Sequence, residues 1–179
     1  MKQAHHVRPE EIERIEIDIF AVSYHIIGGG EEGDKHLVRT KEEADHSLPY
    51  MVAVALLDGE VTPAQYTPQR ITRNDVQTLL RKVTVRPDEV LSKSFPQEMP
   101  CRIRVFLNDG QVLSIEKRDY EGFYTRPPSW EQAETKFASL ATPYTDGELR
   151  RAIVEAVAHL ETIEVQQLTE LLGASLVGA

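Results

Sequence analysis

Cysteine is nearly absent. Cys101 is the only one in 179 residues, so no disulfide can form within the chain, and a reducing, cytoplasmic setting is expected. Positive charge is in deficit: 20 Lys and Arg stand against 29 Asp and Glu, for a formal net charge of −9. That balance argues against nucleic acid or an anionic membrane as the main partner, because both select for basic patches. A small anionic metabolite stays compatible, since a local cluster of donors is enough to hold one. No apolar run reaches the length of a membrane span, and the opening MKQAHHVRPEE lacks a signal-peptide core. The six histidines are scattered without zinc-site spacing, and the adjacent His5 and His6 would point apart at a solvated end. No G-x-S-x-G elbow and no Cys–His pairing can be defended. Neither a metal nor a cofactor is therefore expected.

What is present suits an ordinary globular chain, with 41% hydrophobic and 27% charged residues. The length fits a single domain over 1–179, or one domain with a helical annex. Its densest stretch is ADHSLPYMVAVALLDG, residues 44 to 59, nearly all apolar from Tyr50 to Leu57. Pro49 is tolerated only in a first helical turn, where the backbone N–H groups have no partner inside the helix. The stretch therefore predicts a central buried helix over about 47–58, with Asp45 or Ser47 as N-cap and Gly59 at its end. His46 and Ser47 then sit at the positive end of that helix, which favours anions. Tyr24, His46, Ser47 and Tyr50 are the candidate polar groups around it. His46 and Tyr50, four apart, would share a face if one helix included both.

RIEIDIF (14–20) alternates strictly and predicts a half-buried strand. AVSYHII (21–27) reads as a brief helix and GGGEEGDK (28–35) as a flexible loop. Gly28 and Gly33 have the separation of a phosphate-binding loop. However, Asp34 stands where the lysine belongs, no Ser or Thr follows Lys35, and Glu31 and Glu32 would repel phosphate. Thr40 and Glu43 have capping-box spacing for a helical turn. Residues 74–83 predict a helix capped by Asn74 with Val76, Leu79, Leu80 and Val83 on one face, and 83–87 a short strand ended by Pro87. Residues 88–100 read as a polar loop.

Residues 101–117 predict a hairpin. A three-residue turn with Gly110 in the left-handed position pairs Val105 with Leu113 and Ile103 with Ile115. That register puts every branched residue on one face, whereas a slip of one would not. Arg102 and Arg104 then face the other side, by default into solvent. Three helices follow. The first has a Ser129/Gln132 capping box and an inward face of Trp130, Ala133, Phe137 and Leu140. The second, 146–160, has a Thr145/Glu148 box and turns Leu149, Ile153, Ala156, Val157 and Leu160 inward. The third, about 163–172, buries Val165, Leu168, Leu171 and Leu172. The expected class is α+β: a small, mainly antiparallel sheet packed by the central helix and by the C-terminal helices.

From EEGDKHLVRTKEEA through ADHSLPYMVAVALLDG to VTPAQYTPQRI, and on through the NDVQ helix and the hairpin, the chain resembles the MmgE/PrpD family. That family includes 2-methylcitrate dehydratase, cis-aconitate decarboxylase and iminodisuccinate epimerase. The resemblance covers about residues 10 to 173 and only the family's second domain; the large N-terminal helical domain is expected to be missing. It implies a lyase acting on small polycarboxylates by proton abstraction and elimination, without an obligatory metal, in a site between the two domains. By resemblance His46 and Tyr24 would be catalytic, and Ser47 and Asp45 substrate-binding, with the helical domain as partner and the isolated domain inactive. The alternative is a non-catalytic partner or oligomerisation module, such as a homodimer.

Overall fold

The computed structural model describes residues 7–31 and 33–174; His5 and His6 lie outside them. The chain forms two compact units, the first running to Tyr120 and the second from Glu121 to Ala179.

The first unit holds a four-stranded sheet in the order β2-β1-β3-β4. Its strands are β1 (Ile12–Ile19), β2 (Val83–Pro87), β3 (Cys101–Leu107) and β4 (Val112–Lys117). β1 runs antiparallel to β3 and parallel to β2. A parallel neighbour needs a crossover. The chain between them supplies it through α1 (Lys41–Asp45), α2 (Leu48–Asp58) and α3 (Asn74–Leu80). Ile15, Ile17 and Ile19 alternate inward and meet Val83, Val85, Val105, Val54, Val76 and Leu80 in one core. α2 is buried because it is apolar on several sides: Pro49, Tyr50, Ala53, Val54 and Leu56 are all enclosed. It stops at Gly59, whose φ of 85° is the left-handed conformation that glycine adopts without a Cβ penalty.

The hairpin pairs Val105 with Leu113 and Ile103 with Ile115, as the branched-residue pattern requires. Gly110 has φ 87° and donates its N–H to the Leu107 carbonyl at 2.9 Å. The outer face of the sheet departs from the default of solvated arginines. Arg104 Nη2 lies 2.8 Å from Asp18 Oδ2 and 3.3 Å from Glu16 Oε2, and Arg102 Nη2 lies 2.8 Å from Glu116 Oε2. The cause is strand order: β1 lies beside β3, which puts the acidic set of one opposite the basic set of the other. Two smaller corrections concern local structure. Asp88 caps a single turn, Glu89–Ser92, inside the expected loop. The cap position of α3 is Arg73, with Asn74 already helical.

The second unit contains α4 (Trp130–Ala141), α5 (Gly147–Ala158) and α6 (Val165–Gly173). Ser129 and Gln132 form the expected capping box. At α5 the cap is Asp146, which accepts from Leu149 N at 2.8 Å, while Thr145 turns back to donate to the Ala141 carbonyl. The apolar stripes exist, but most of their residues are exposed or only half-buried among the described residues. Ile153 is the one buried residue on these three helices, whereas Trp130 is 51% exposed and Val165 73%.

Candidate functional site

The site is built around the junction of α1 and α2. Thr40 starts α1 with a closed capping box: its Oγ1 accepts from Glu43 N, and Glu43 Oε2 accepts from Thr40 N and Arg39 N. Those two backbone N–H groups hold the Glu43 carboxyl below its ordinary range. The helix cannot run on into α2. Pro49 has no N–H to donate to the carbonyl four residues back, and its ring would clash there. The backbone leaves the helical path at His46 (ψ 22°) and Ser47 (ψ 105°), then re-enters at Leu48. The conditional expectation that His46 and Tyr50 share one helix face therefore fails. Tyr50 is fully buried and donates its hydroxyl to the Gln65 carbonyl, and burial pushes its pKa up to about 12. It is a core residue.

Ser47 is the N-cap of α2, accepting from Tyr50 N at 3.1 Å. Its hydroxyl also donates to the Lys35 carbonyl at 2.6 Å, and the residue is fully buried. Ser47 thus fastens the 33–37 segment to the helix head. Of the first backbone donors there, Tyr50 N and Met51 N bind Ser47, and Pro49 has none, which leaves Leu48 N. Asp45 pairs with Lys41 at 2.5 Å, one turn back on α1.

His46 is exposed. Its Nδ1 lies 3.0 Å from the Glu42 carbonyl. A carbonyl only accepts, so Nδ1 carries the hydrogen and Nε2 is the nitrogen left to exchange protons. The ring lines a concavity of about 550 Å³ with Asp34, Lys35, Leu37, Glu42 and Glu43, in the size range of small-ligand sites. Tyr24 does not lie there. It sits half-buried in the wide helical turn Tyr24–Gly28 and lines a neighbouring concavity with Gly29, Gly30, Asp34, His36 and Thr84. Gly28 is required at its base, because a Cβ there would come within 2.8 Å of the Tyr24 ring. Asp34 borders both concavities.

The structure thus puts His46 above Ser47 and Asp45 on one junction and Tyr24 in the adjoining hollow. Sequence reasoning did not single out Lys35 or His36. Their neighbours come from contacts across the fold, such as His36 to Val83, and no local motif announces those. Among the described residues, no group of three or more His, Cys, Asp or Glu could hold a metal ion, and no helix is long and apolar enough to cross a membrane.

Comparison with known proteins supplies the frame for this geometry. Residues 1–162 match the MmgE/PrpD C-terminal domain. The chain is 31% identical over 127 residues to human cis-aconitate decarboxylase, covering 70% of this chain and 26% of that protein. It is 29% identical over 134 residues to the mouse cis-aconitate decarboxylase, covering 74% of this chain and 27% of that one. A fungal alkylcitrate dehydratase is 22% identical over 138 residues, covering 72% and 27%. The chain spans about a quarter of the length of the curated relatives it matches. It belongs to the MmgE/PrpD family, within which it corresponds to the C-terminal domain.

Proposed function

We propose that this chain supplies the His46 side of an active site for a small polycarboxylate, in a lyase of the 2-methylcitrate dehydratase type. The carrying observation is His46: its Nδ1 is anchored on the Glu42 carbonyl, and the residue lines a ligand-sized concavity. An imidazole held by one nitrogen is oriented to take or return a proton through the other. The relatives are named for cis-aconitate and for an alkylcitrate, both polycarboxylates, which fits elimination or decarboxylation beside a carboxylate. Ser47 and Asp45 fix the junction that carries the ring, and Tyr24 serves from the adjoining hollow.

The charge around His46 favours an incomplete site. Asp34, Glu42 and Glu43 line the concavity against one lysine, Lys35, so this chain alone is a weak trap for a polyanion. The remaining cations and acid–base groups would come from a helical portion like that expected for the family. The test is an assay of the chain alone on 2-methylcitrate, citrate and cis-aconitate. No turnover is expected, and turnover well above background overturns the proposed incompleteness. Co-expression with a family helical domain should restore activity, and His46→Gln should remove at least 100-fold of it, as the order of a lost general acid–base suggests, roughly.

A second reading, a partner or self-association module, is favoured by one observation. Trp130, Leu160, Val165 and Leu172 are exposed on the second unit. Size-exclusion chromatography at high concentration discriminates: a clean monomer argues against self-association.

A further inference from the structure

Lys35 differs from the other lysines among the described residues. Lys35 and Lys82 are half-buried, whereas Lys41, Lys93, Lys117 and Lys136 are exposed. Lys82 Nζ donates to the Ile12 carbonyl at 2.5 Å. The Lys35 ammonium has no hydrogen bond or ion pair among the described residues. A partly desolvated ammonium without a partner gains from a counter-ion, and a carboxylate supplies both the charge and the acceptor atoms.

The segment that carries Lys35 is fixed at two points. Ser47, fully buried at the head of α2, donates its hydroxyl to the Lys35 carbonyl at 2.6 Å. Gln77, on α3, donates its side-chain amide to the Val38 carbonyl at 2.9 Å and to the Ile71 carbonyl at 2.8 Å. Val38 itself is buried. Residues 35–38 are therefore a strap tied to both helices, and little backbone ordering remains to oppose binding there.

The acids that line the same concavity are already engaged. Asp34 Oδ1 accepts from His36 N at 2.9 Å. Glu43 Oε2 accepts from Arg39 N at 2.7 Å and from Thr40 N at 3.0 Å. Glu42 interacts with the Lys41 ammonium. Lys35 is the charged lining residue left without a counter-group. We infer that Lys35 is the carboxylate-binding residue of the concavity that His46 lines, its ammonium pairing with one carboxylate of the ligand. The inference rests on the polycarboxylate reading of that site and adds the group that holds the ligand in it. One compact ammonium serves one carboxylate, so the others fall to groups outside this chain.

The test titrates the full chain with citrate, with sodium chloride of equal ionic strength as the control, and follows the Lys35 side chain, the His36 and Leu37 amides and the His46 ring by NMR. Saturable shifts at Lys35 and Leu37 are expected, with a dissociation constant of about 1 to 10 mM, the weak end of small-ligand affinity. Lys35→Met should weaken citrate binding about tenfold, the order of a hydrogen bond to a charged group, while Lys35→Arg keeps the charge and should stay within about threefold of the parent. Lys136→Met, at an exposed lysine of the second unit, should change nothing. Shifts that sodium chloride reproduces, or citrate binding that Lys35→Met leaves unchanged, overturn the inference. The His46 ring separates this inference from the reading beneath it. Ring shifts that survive Lys35→Met keep the His46 reading and sink the Lys35 anchor. Shifts at Lys35 with none at His46 keep the anchor and sink the His46 reading.

Discussion

The two units both carry apolar faces and differ in how far those faces are enclosed. In the first, Ile15, Ile17, Tyr50, Val54, Val76 and Leu80 are fully enclosed. In the second, α4, α5 and α6 show clear stripes, yet Ile153 alone is buried on them, and Leu140, Val157, Leu160 and Leu172 are 40% exposed or more. Periodicity says which face of a helix is apolar. It does not say whether anything lies against that face. In the first unit the sheet does so. In the second, much of the apolar surface stays exposed among the described residues.

The largest test of this contrast is a pair of truncations. Ile17→Ala, at a fully buried sheet position, should cost about 3 kcal/mol in chemical denaturation, the range for buried branched residues. Phe137→Ala, on a half-buried helix face, should cost about 1 kcal/mol, since a half-buried side chain leaves a smaller cavity than an enclosed one. Equal losses would break the comparison. Hydrogen exchange gives a second reading: amides of β1 and β3 should be protected far more than those of α6.

A smaller effect belongs to the polar network that closes the first unit. The Arg70 side chain, about 10% exposed, grips Asp58 by two hydrogen bonds of 2.9 and 2.7 Å and also reaches Asp75. Asp58→Asn should cost about 2 kcal/mol, less than a fully buried pair because Asp75 remains. The Arg70 guanidinium holds the Asp58 carboxyl below its ordinary 3.8. A depressed carboxyl stabilises the fold above 3.8, and this contribution is lost as pH falls through the lower folded value. The wild type should therefore lose its advantage over the asparagine variant in acid below that point, measured by thermal unfolding. A constant difference down to about pH 2 would refute the assignment.

The smallest stability effect is expected on the exposed C-terminal faces. Val157→Gln and Leu160→Gln, at exposed positions on or just beyond α5, should change stability by no more than about 0.5 kcal/mol. If these faces are used, the pair should reduce self-association or co-purification with a helical domain. Strong destabilisation would mean that the second unit has a covered core after all.

Parts of this were legible from residue order alone, for local reasons. The hairpin register follows because only one pairing puts Ile103, Val105, Leu113 and Ile115 on one face. The ends of α2 follow from Ser47, Pro49 and Gly59, each with a backbone requirement of its own. The candidate site was half legible. His46 stood out beside a proline-started helix, but its separation from Tyr50 depends on two residues leaving the helical path. The roles of His36 and Arg104 could not be read, because their partners are Val83 and Asp18, 47 and 86 positions away.

The sequence by itself determined the α+β class, the core strand, the hairpin and the helix behind His46, since periodicity, capping and turn chemistry act over a few residues. Tertiary structure alone decided that β2 runs parallel beside β1, that Arg102 and Arg104 meet acids, that Ser47 is sealed while His46 stays open, and that the C-terminal stripes stay largely exposed among the described residues. These outcomes depend on which distant segments become neighbours, and that is set by the joint burial of the whole core rather than by any local pattern.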